Sequence, residues 1–413
     1  MSKHTLVKLS LAAIAALALA LWVGNSRQPV QVLPQDAALV PGLSGAVNDV
    51  RKLTMTGAGK LKLVTLERRE GGWVVAERDG YAADVAKVRG LLLKLGESTL
   101  LEAKTANPEL HAKLGVEDVA GNDAKGALLE IEGLPKPVAI VVGNYSGRAG
   151  ESTFVRREGE QQAWLAKGNL SLDPSAANWL RKDLFDVPSS RIHEVRIEHG
   201  GKVVRAVKDA PDDPNYKLQD LPKGREPASE FAANALAAVL STLRFDDVAP
   251  AAKAEPPADA WQATYTGFDG LVVAATAWQA EGKDYVRFAA RVDEQVANTH
   301  IAAGQAQAKA QYEAAKLAAA TLPAPSPAPA AAPAATPAEA AANTTPEPPA
   351  PLAVSDPAKD AATRLDALRE EAKAINAKSE GWTFVLPAFK FSNIAKAPED
   401  LLKPLDAKKP AGG

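Results

Sequence analysis

The chain has 413 residues, with 48 Lys plus Arg against 50 Asp plus Glu, a formal net charge of -2, and no cysteine. That length accommodates two domains of ordinary size, each with its own core. The balanced charge argues against a nucleic-acid surface, which needs a basic face to neutralise phosphates, and the lack of cysteine removes disulfides, thiolate metal sites, cysteine nucleophiles and a cysteine-linked lipid anchor.

Lys3 and Lys8 precede an uncharged run from Leu9 to Gly24, and Arg27 follows it. Sixteen residues at helical rise cover roughly 24 Å, short of a hydrocarbon core unless Leu6, Val7 and the Lys8 stem contribute. Residues 1–24 therefore read as a signal anchor or a signal peptide, and Ala18-Leu19-Ala20 offers a small-x-small cleavage pattern. Trp22 suits the outer membrane interface, and positive charge before the run places the rest of the chain outside the cytoplasm. Residues 25–45, with Pro29, Pro34 and Pro41, read as a linker.

The remainder repeats itself. Val50/Ile192, Leu53/Val195, Met55/Ile197, Gly59/Gly201 and Lys60/Lys202 share an offset of 142 residues, and each copy reads as strand, glycine turn, strand. Third strands follow at Trp73 and Tyr216, then amphipathic helices on Val85, Val88, Leu92 and Leu95 and on Leu236, Val239, Leu240 and Leu243. Trp164 and Trp382 each open a later strand, 19 and 18 residues before Asp183 and Asp400. A helix is expected between Trp164 and Asp183. The expected fold is α+β: two tandem, mostly antiparallel sheets with packed helices, over 46–189 and 190–404, followed by a tail at 405–413.

The second copy carries an insertion at 293–379, where the first has only a short turn between the strand of Phe154 and that of Trp164. Its Ala/Pro-rich middle, 322–357, lacks large apolar residues and is expected to be disordered. The flanks favour helix. Ala361, Leu365, Leu368, Ala372 and Ile375 form a heptad stripe, and Ile301, Ala308, Tyr312, Ala315 and Ala319 supply a facing one. An antiparallel helical arm, coiled-coil in character, is expected to project from a hairpin tip.

No motif assigns a catalytic residue, a cofactor-binding residue or a metal ligand. Thr56–Leu61, TGAGKL, has Thr54 where a phosphate loop needs glycine and Leu61 where it needs Ser or Thr, so it reads as a turn. Gly143–Gly147, GNYSG, has Asn144 where a nucleophile elbow needs glycine and is also expected to be a turn. His4, His111, His193, His199 and His300 fall in no ligand spacing. Asp183 and Asp400 recur at equivalent places and are expected to make local hydrogen bonds or salt bridges; Trp164 and Trp382 are expected to pack in the core or on the sheet.

Trp73 before Tyr81-Ala82-Ala83, the helix VAKVRGLLLKL, then HAKLGVED, VVGN, TFVRR and WLRKDLFDV resemble the DUF4340 family of unknown function. The likeness is good over 45–190 and looser over 190–292 and 380–404, and Lys113-Leu114-Gly115-Val116 departs from the family pattern. It implies a place beside ABC-transporter components of the gliding-motility type. The expectation is thus a non-enzymatic accessory or binding subunit, held in the bacterial inner membrane by residues 6–24 with its bulk in the periplasm and a membrane protein as partner. A periplasmic hydrolase with an unrecognised carboxylate pair and a structural envelope spacer are the alternatives.

Overall fold

The computed structural model describes residues 36–147, 150–321 and 349–403. The N-terminal apolar run, most of the Ala/Pro-rich tract and the tail at 405–413 lie outside the described residues. Among the described residues, no helix is long and apolar enough to cross a membrane. The fold is α+β with antiparallel sheets, divided into two compact units, Met1–Arg181 and Lys182–Gly413.

In the first unit, β1 (Lys52–Thr56), β2 (Lys62–Arg69), β3 (Gly72–Val75), β4 (Tyr81–Ala82), β5 (Leu100–Thr105), β6 (Ala127–Glu132), β7 (Val138–Ser146), β8 (Ser152–Arg157) and β9 (Ala163–Lys167) form one sheet. Its order is β4-β3-β2-β1-β6-β7-β8-β9-β5. Leu53 stands between Leu66 and Ile131 across three strands, and all three are buried. Helix α1 (Leu43–Ala46) packs on α2 (Val85–Glu97), and α3 (His111–Leu114) follows β5. Asp84 caps α2 by accepting from the Lys87 amide at 3.1 Å. The buried face of α2 is Val88, Leu91, Leu92 and Leu95; Val85, expected on it, is exposed.

The second unit holds β10 (Asp183–Phe185), β11 (Ile192–His199), β12 (Lys202–Val207), β13 (Lys217–Gln219), β14 (Leu243–Arg244), β15 (Asp247–Pro250), β16 (Trp261–Gly267), β17 (Leu271–Ala280), β18 (Lys283–Val292) and β19 (Trp382–Val385). Strands β10 and β14 pair by themselves; the other eight lie in the order β13-β12-β11-β16-β17-β18-β19-β15. Numbered along the chain without β4, β10 and β14, the strands of each large sheet fall in the order 3-2-1-5-6-7-8-4. The helices of this unit are α4 (Asn234–Ala237), α5 (Glu294–Thr321), α6 (Leu352–Ser355), α7 (Pro357–Ser379) and α8 (Ala388–Ile394), of which α8 buries Phe391 and Ile394 against β16, β17 and β18.

Several sequence expectations need correcting. Residues 36–45 are not linker: Leu39, Val40 and Leu43 are buried, and Ala38 bridges Thr99. Between Trp164 and Asp183 there is no α-helix, only a 3-10 turn at Ala176–Trp179. It is held by Asp173, which accepts from the Ser175 amide and from Lys87. The helix expected through Leu243 stops early: α4 passes into a 3-10 turn at Ala238–Leu240, and Leu243 is in β14. The Lys390 ammonium ends it by donating to the carbonyls of Ala238, Val239 and Ser241 at 2.8, 3.0 and 2.9 Å. The GNYSG segment is no turn but the irregular end of β7, where pairing with β8 shifts between Val142 and Tyr145. The expected disordered tract ends too late, because α6 and the start of α7 fall inside 322–357 and Ala353 is buried. Leu352, Ala353 and Val354 give that short stretch an apolar surface to pack against α5.

Helices α5 and α7 run antiparallel. Arg369 meets Glu294 at 2.5 Å near one end, and Gln305 donates to the Pro357 carbonyl at 2.7 Å near the other. Ile301, Ala372 and Ile375 are buried, Leu365, Leu368, Ala308 and Tyr312 half-buried, and Ala315 exposed. The pair leaves β18 after Val292 and returns to β19 at Trp382, so β19 pairs with β18 only at Tyr285 and Val286.

Candidate binding groove

A concavity with apolar lining lies in the second unit, where the segment after α8 crosses the end of the sheet. Strands β11 and β12 join through Gly200 and Gly201, whose φ values of 55° and 75° are the left-handed pair a two-residue hairpin demands. That turn places His199 opposite Lys202. On its other side β11 pairs with β16, and the register Glu198 to Gln262 carries on to bring His199 beside Trp261. The two rings stack with centroids 3.7 Å apart and planes 10° from parallel.

A strap forms the facing wall. It runs from Lys396 through a 3-10 turn at Pro398–Leu401, which Asp400 closes by accepting from the Ala397 amide at 3.2 Å. Leu401 and Leu402 are buried, and the Leu401 carbonyl accepts from the Ala228 amide at 2.8 Å. Lys403 meets Glu226 at 2.6 Å, and Lys202 meets Glu399 at 2.7 Å from the sheet side. Hydrogen bonding to Lys202 holds the Glu399 carboxyl below the usual carboxylate range.

Two cavities share Lys202, Val204 and Pro398. One, about 240 Å³, is lined by Val204, Leu218, Leu221, Leu401 and Leu402 together with the charged Lys202, Arg205, Asp220 and Glu399. The other, about 300 Å³, is lined by Ile197, His199, Trp261, Lys396 and Pro398. Apolar walls with a few polar groups are the usual make-up of a small-ligand site, and 300 Å³ is its lower size.

The residues weighed in the sequence are scattered. His111 is buried with Nε2 2.8 Å from the Gln161 carbonyl, and His193 has Nδ1 2.7 Å from the Lys208 carbonyl. His300 is exposed on α5, while His4 lies outside the described residues. Asp183 pairs with Arg244 at 3.2 Å and is largely exposed; Asp400 accepts locally from the Ala397 amide. Trp164 is buried, and Trp382 is half-buried opposite Pro250. Gly59 and Gly201, with φ of 66° and 75°, both sit in strand-joining turns. Among the described residues no group of three His, Asp or Glu side chains could hold a metal ion. Trp261 and Lys396 escaped notice in the sequence. The Trp in TrpGlnAlaThrTyr announced a strand, but nothing local announced that His199 would be its neighbour.

Residues 73–262 match the family model described as Domain of unknown function (DUF4340). Over that span the chain is similar to the DUF4340 family. The DUF4340 match runs from Trp73 in β3 of the first unit to Gln262 in β16 of the second. It takes in His199, Lys202 and Trp261 but not the strap with Lys396 and Glu399. No curated protein and no solved structure matches the chain.

Proposed function

We propose that this protein is a non-enzymatic binding or accessory subunit of an envelope complex. It is held at the bacterial inner membrane through residues 6–24, with its bulk in the periplasm and an ABC-transporter-type membrane protein as partner. The observation that carries the binding reading is the groove between β11–β12 and the strap. Its walls are largely apolar and aromatic, and the ion pair of Lys202 with Glu399 ties the two walls together. That composition suits holding a ligand or a partner side chain.

The protein is read as two tandem copies of one module. The common strand order 3-2-1-5-6-7-8-4 supports this, as do the left-handed glycines, Gly59 and Gly201, at the same step of each. On this reading the pair α5 and α7 is an arm inserted into one hairpin of the second copy. The membrane attachment rests on Lys3 and Lys8 ahead of the Leu9–Gly24 run.

Photocrosslinking in cells from Val203 and Phe389, both exposed, tests the partner. Mass spectrometry of the membrane fraction is expected to find crosslinks to an integral transporter component. Crosslinks confined to soluble proteins, or none, would remove the accessory-subunit reading.

A further inference from the structure

The cavity at His199 and Trp261 has three properties that together specify a ligand. Lys396 lines it half-buried and has no carboxylate partner among the described residues. The nearest acid of the strap, Glu399, is engaged by Lys202 on the shared wall. A cation beside apolar surface is desolvated without compensation, so the site favours an anion that would neutralise it.

His199 supplies the second property. Its Nδ1 is buried and meets no partner among the described residues. A desolvated ring nitrogen without an acceptor keeps its lone pair, which assigns the ring proton to Nε2. Nε2–H is then the donor left for a ligand.

The third property is the stack of the His199 and Trp261 rings, nearly parallel, with Ile197 beside it in the cavity wall. A flat apolar body packs against such a surface better than a branched one, and stacking adds to area burial. The cavity, about 300 Å³, accommodates one ring system with a short tail.

We infer that this cavity binds a small free aromatic carboxylate, its ring against His199 and Trp261 and its carboxylate on Lys396 and the His199 Nε2–H. The inference rests on the binding reading given above and names the ligand class of that groove. Ligand binding and partner capture are separate measurements, so crosslinks to a transporter component stand or fall whatever the cavity binds.

Indole-3-acetate is the probe, and indole-3-acetamide, with the same ring and no charge, its control. Both are titrated into the full chain in detergent by calorimetry, with saturation-transfer NMR to place the ring. The acetate is expected to bind saturably and at least tenfold more tightly than the amide. Lys396→Met should reduce the acetate to the affinity of the amide, and Trp261→Leu should weaken both. Lys136→Met, on the exposed surface of the first unit, should change neither. Circular dichroism of each variant confirms that it is folded. Equal binding of acetate and amide, undiminished acetate binding by Lys396→Met, or no saturable binding to the parent protein would each overturn the inference.

Discussion

Asn376 gives the backbone of Ala290 both halves of a strand neighbour: its Oδ1 accepts from the Ala290 amide at 2.7 Å, and its Nδ2 donates to the Ala290 carbonyl at 2.8 Å. Strand β18 needs this because β19 leaves it after Tyr285 and Val286. The far half of β18 would otherwise present open edge groups to solvent or to another chain. One side chain on α7 does there what a strand does elsewhere.

Asn376→Leu should therefore cost the second unit about 2–3 kcal/mol, since a buried peptide group left unpaired costs about 1–3 kcal/mol. Hydrogen exchange read at the Ala290 amide should accelerate by more than tenfold. Unchanged protection there would show that the amide pairing is dispensable.

Arg191 ties the same arm to the sheet. Its guanidinium reaches Asp269 at 2.5 Å and both oxygens of Glu371 at 2.6 and 2.7 Å. Although burial works against the charge, the hydrogen bonds and charges of Glu371 and Asp269 push its pKa further up. Arg191→Met leaves two facing carboxylates without a cation. Discounted for partial exposure, the expected loss is about 2 kcal/mol in a urea titration. The triple variant Arg191→Met/Asp269→Asn/Glu371→Met should recover most of it; a triple variant no better than the single would mean that shape, not charge, fixes this corner.

In the first unit the acid sensitivity should centre on Asp173. Burial raises its carboxyl pKa, but the hydrogen bonds from Lys87, Ser175 and Asn178 outweigh that and hold it below the usual range. The stability it contributes is then complete above about pH 4, the unfolded value, and is withdrawn as pH falls through the lower folded value. Asp173→Asn should flatten the fall in melting temperature between about pH 4 and pH 2. A variant whose acid profile overlays the parent's would assign that slope elsewhere.

Gly126 sits where two backbones nearly touch. A Cβ there would lie 2.0 Å from the Gly115 carbonyl oxygen and 2.8 Å from that of Val142. Neither atom is the end of a flexible side chain, so Gly126→Ala should destabilise the first unit by about 3 kcal/mol, the upper range for overpacking. Gly71→Ala, with open space around it, should stay within about 0.5 kcal/mol. Similar melting temperatures for the two variants would contradict this close approach of Gly126 to the Gly115 and Val142 carbonyls.

Much of the sheet framework could be read from local pattern. Leu53 and Met55 alternate as a strand should, and the two glycine turns lie where the chain reverses. Elements whose ends are set by distant atoms could not be read this way. The helix around Leu236 has apolar spacing enough to continue, and Lys390, about 150 residues away, stops it. Leu39 and Leu43 follow a proline-rich stretch and look like linker until Thr99 and α2 are there to receive them. The groove is illegible for the same reason: His199, Trp261 and Lys396 come from three separate stretches, and only the register of β11 on β16 and the path after α8 bring them together.

The strap also sets when the groove can exist. Its Glu399 lies 197 residues beyond Lys202, with which it closes the two walls. At ribosomal rates of about 5–20 residues per second, β11 and β12 would wait roughly 10–40 s for their opposing wall. A nascent chain with β11, β12 and β16 already paired thus has the aromatic floor but nowhere to retain a ligand. Binding competence arrives only after the strap emerges, so the growing chain passes through its period of partial folding without a site to occupy.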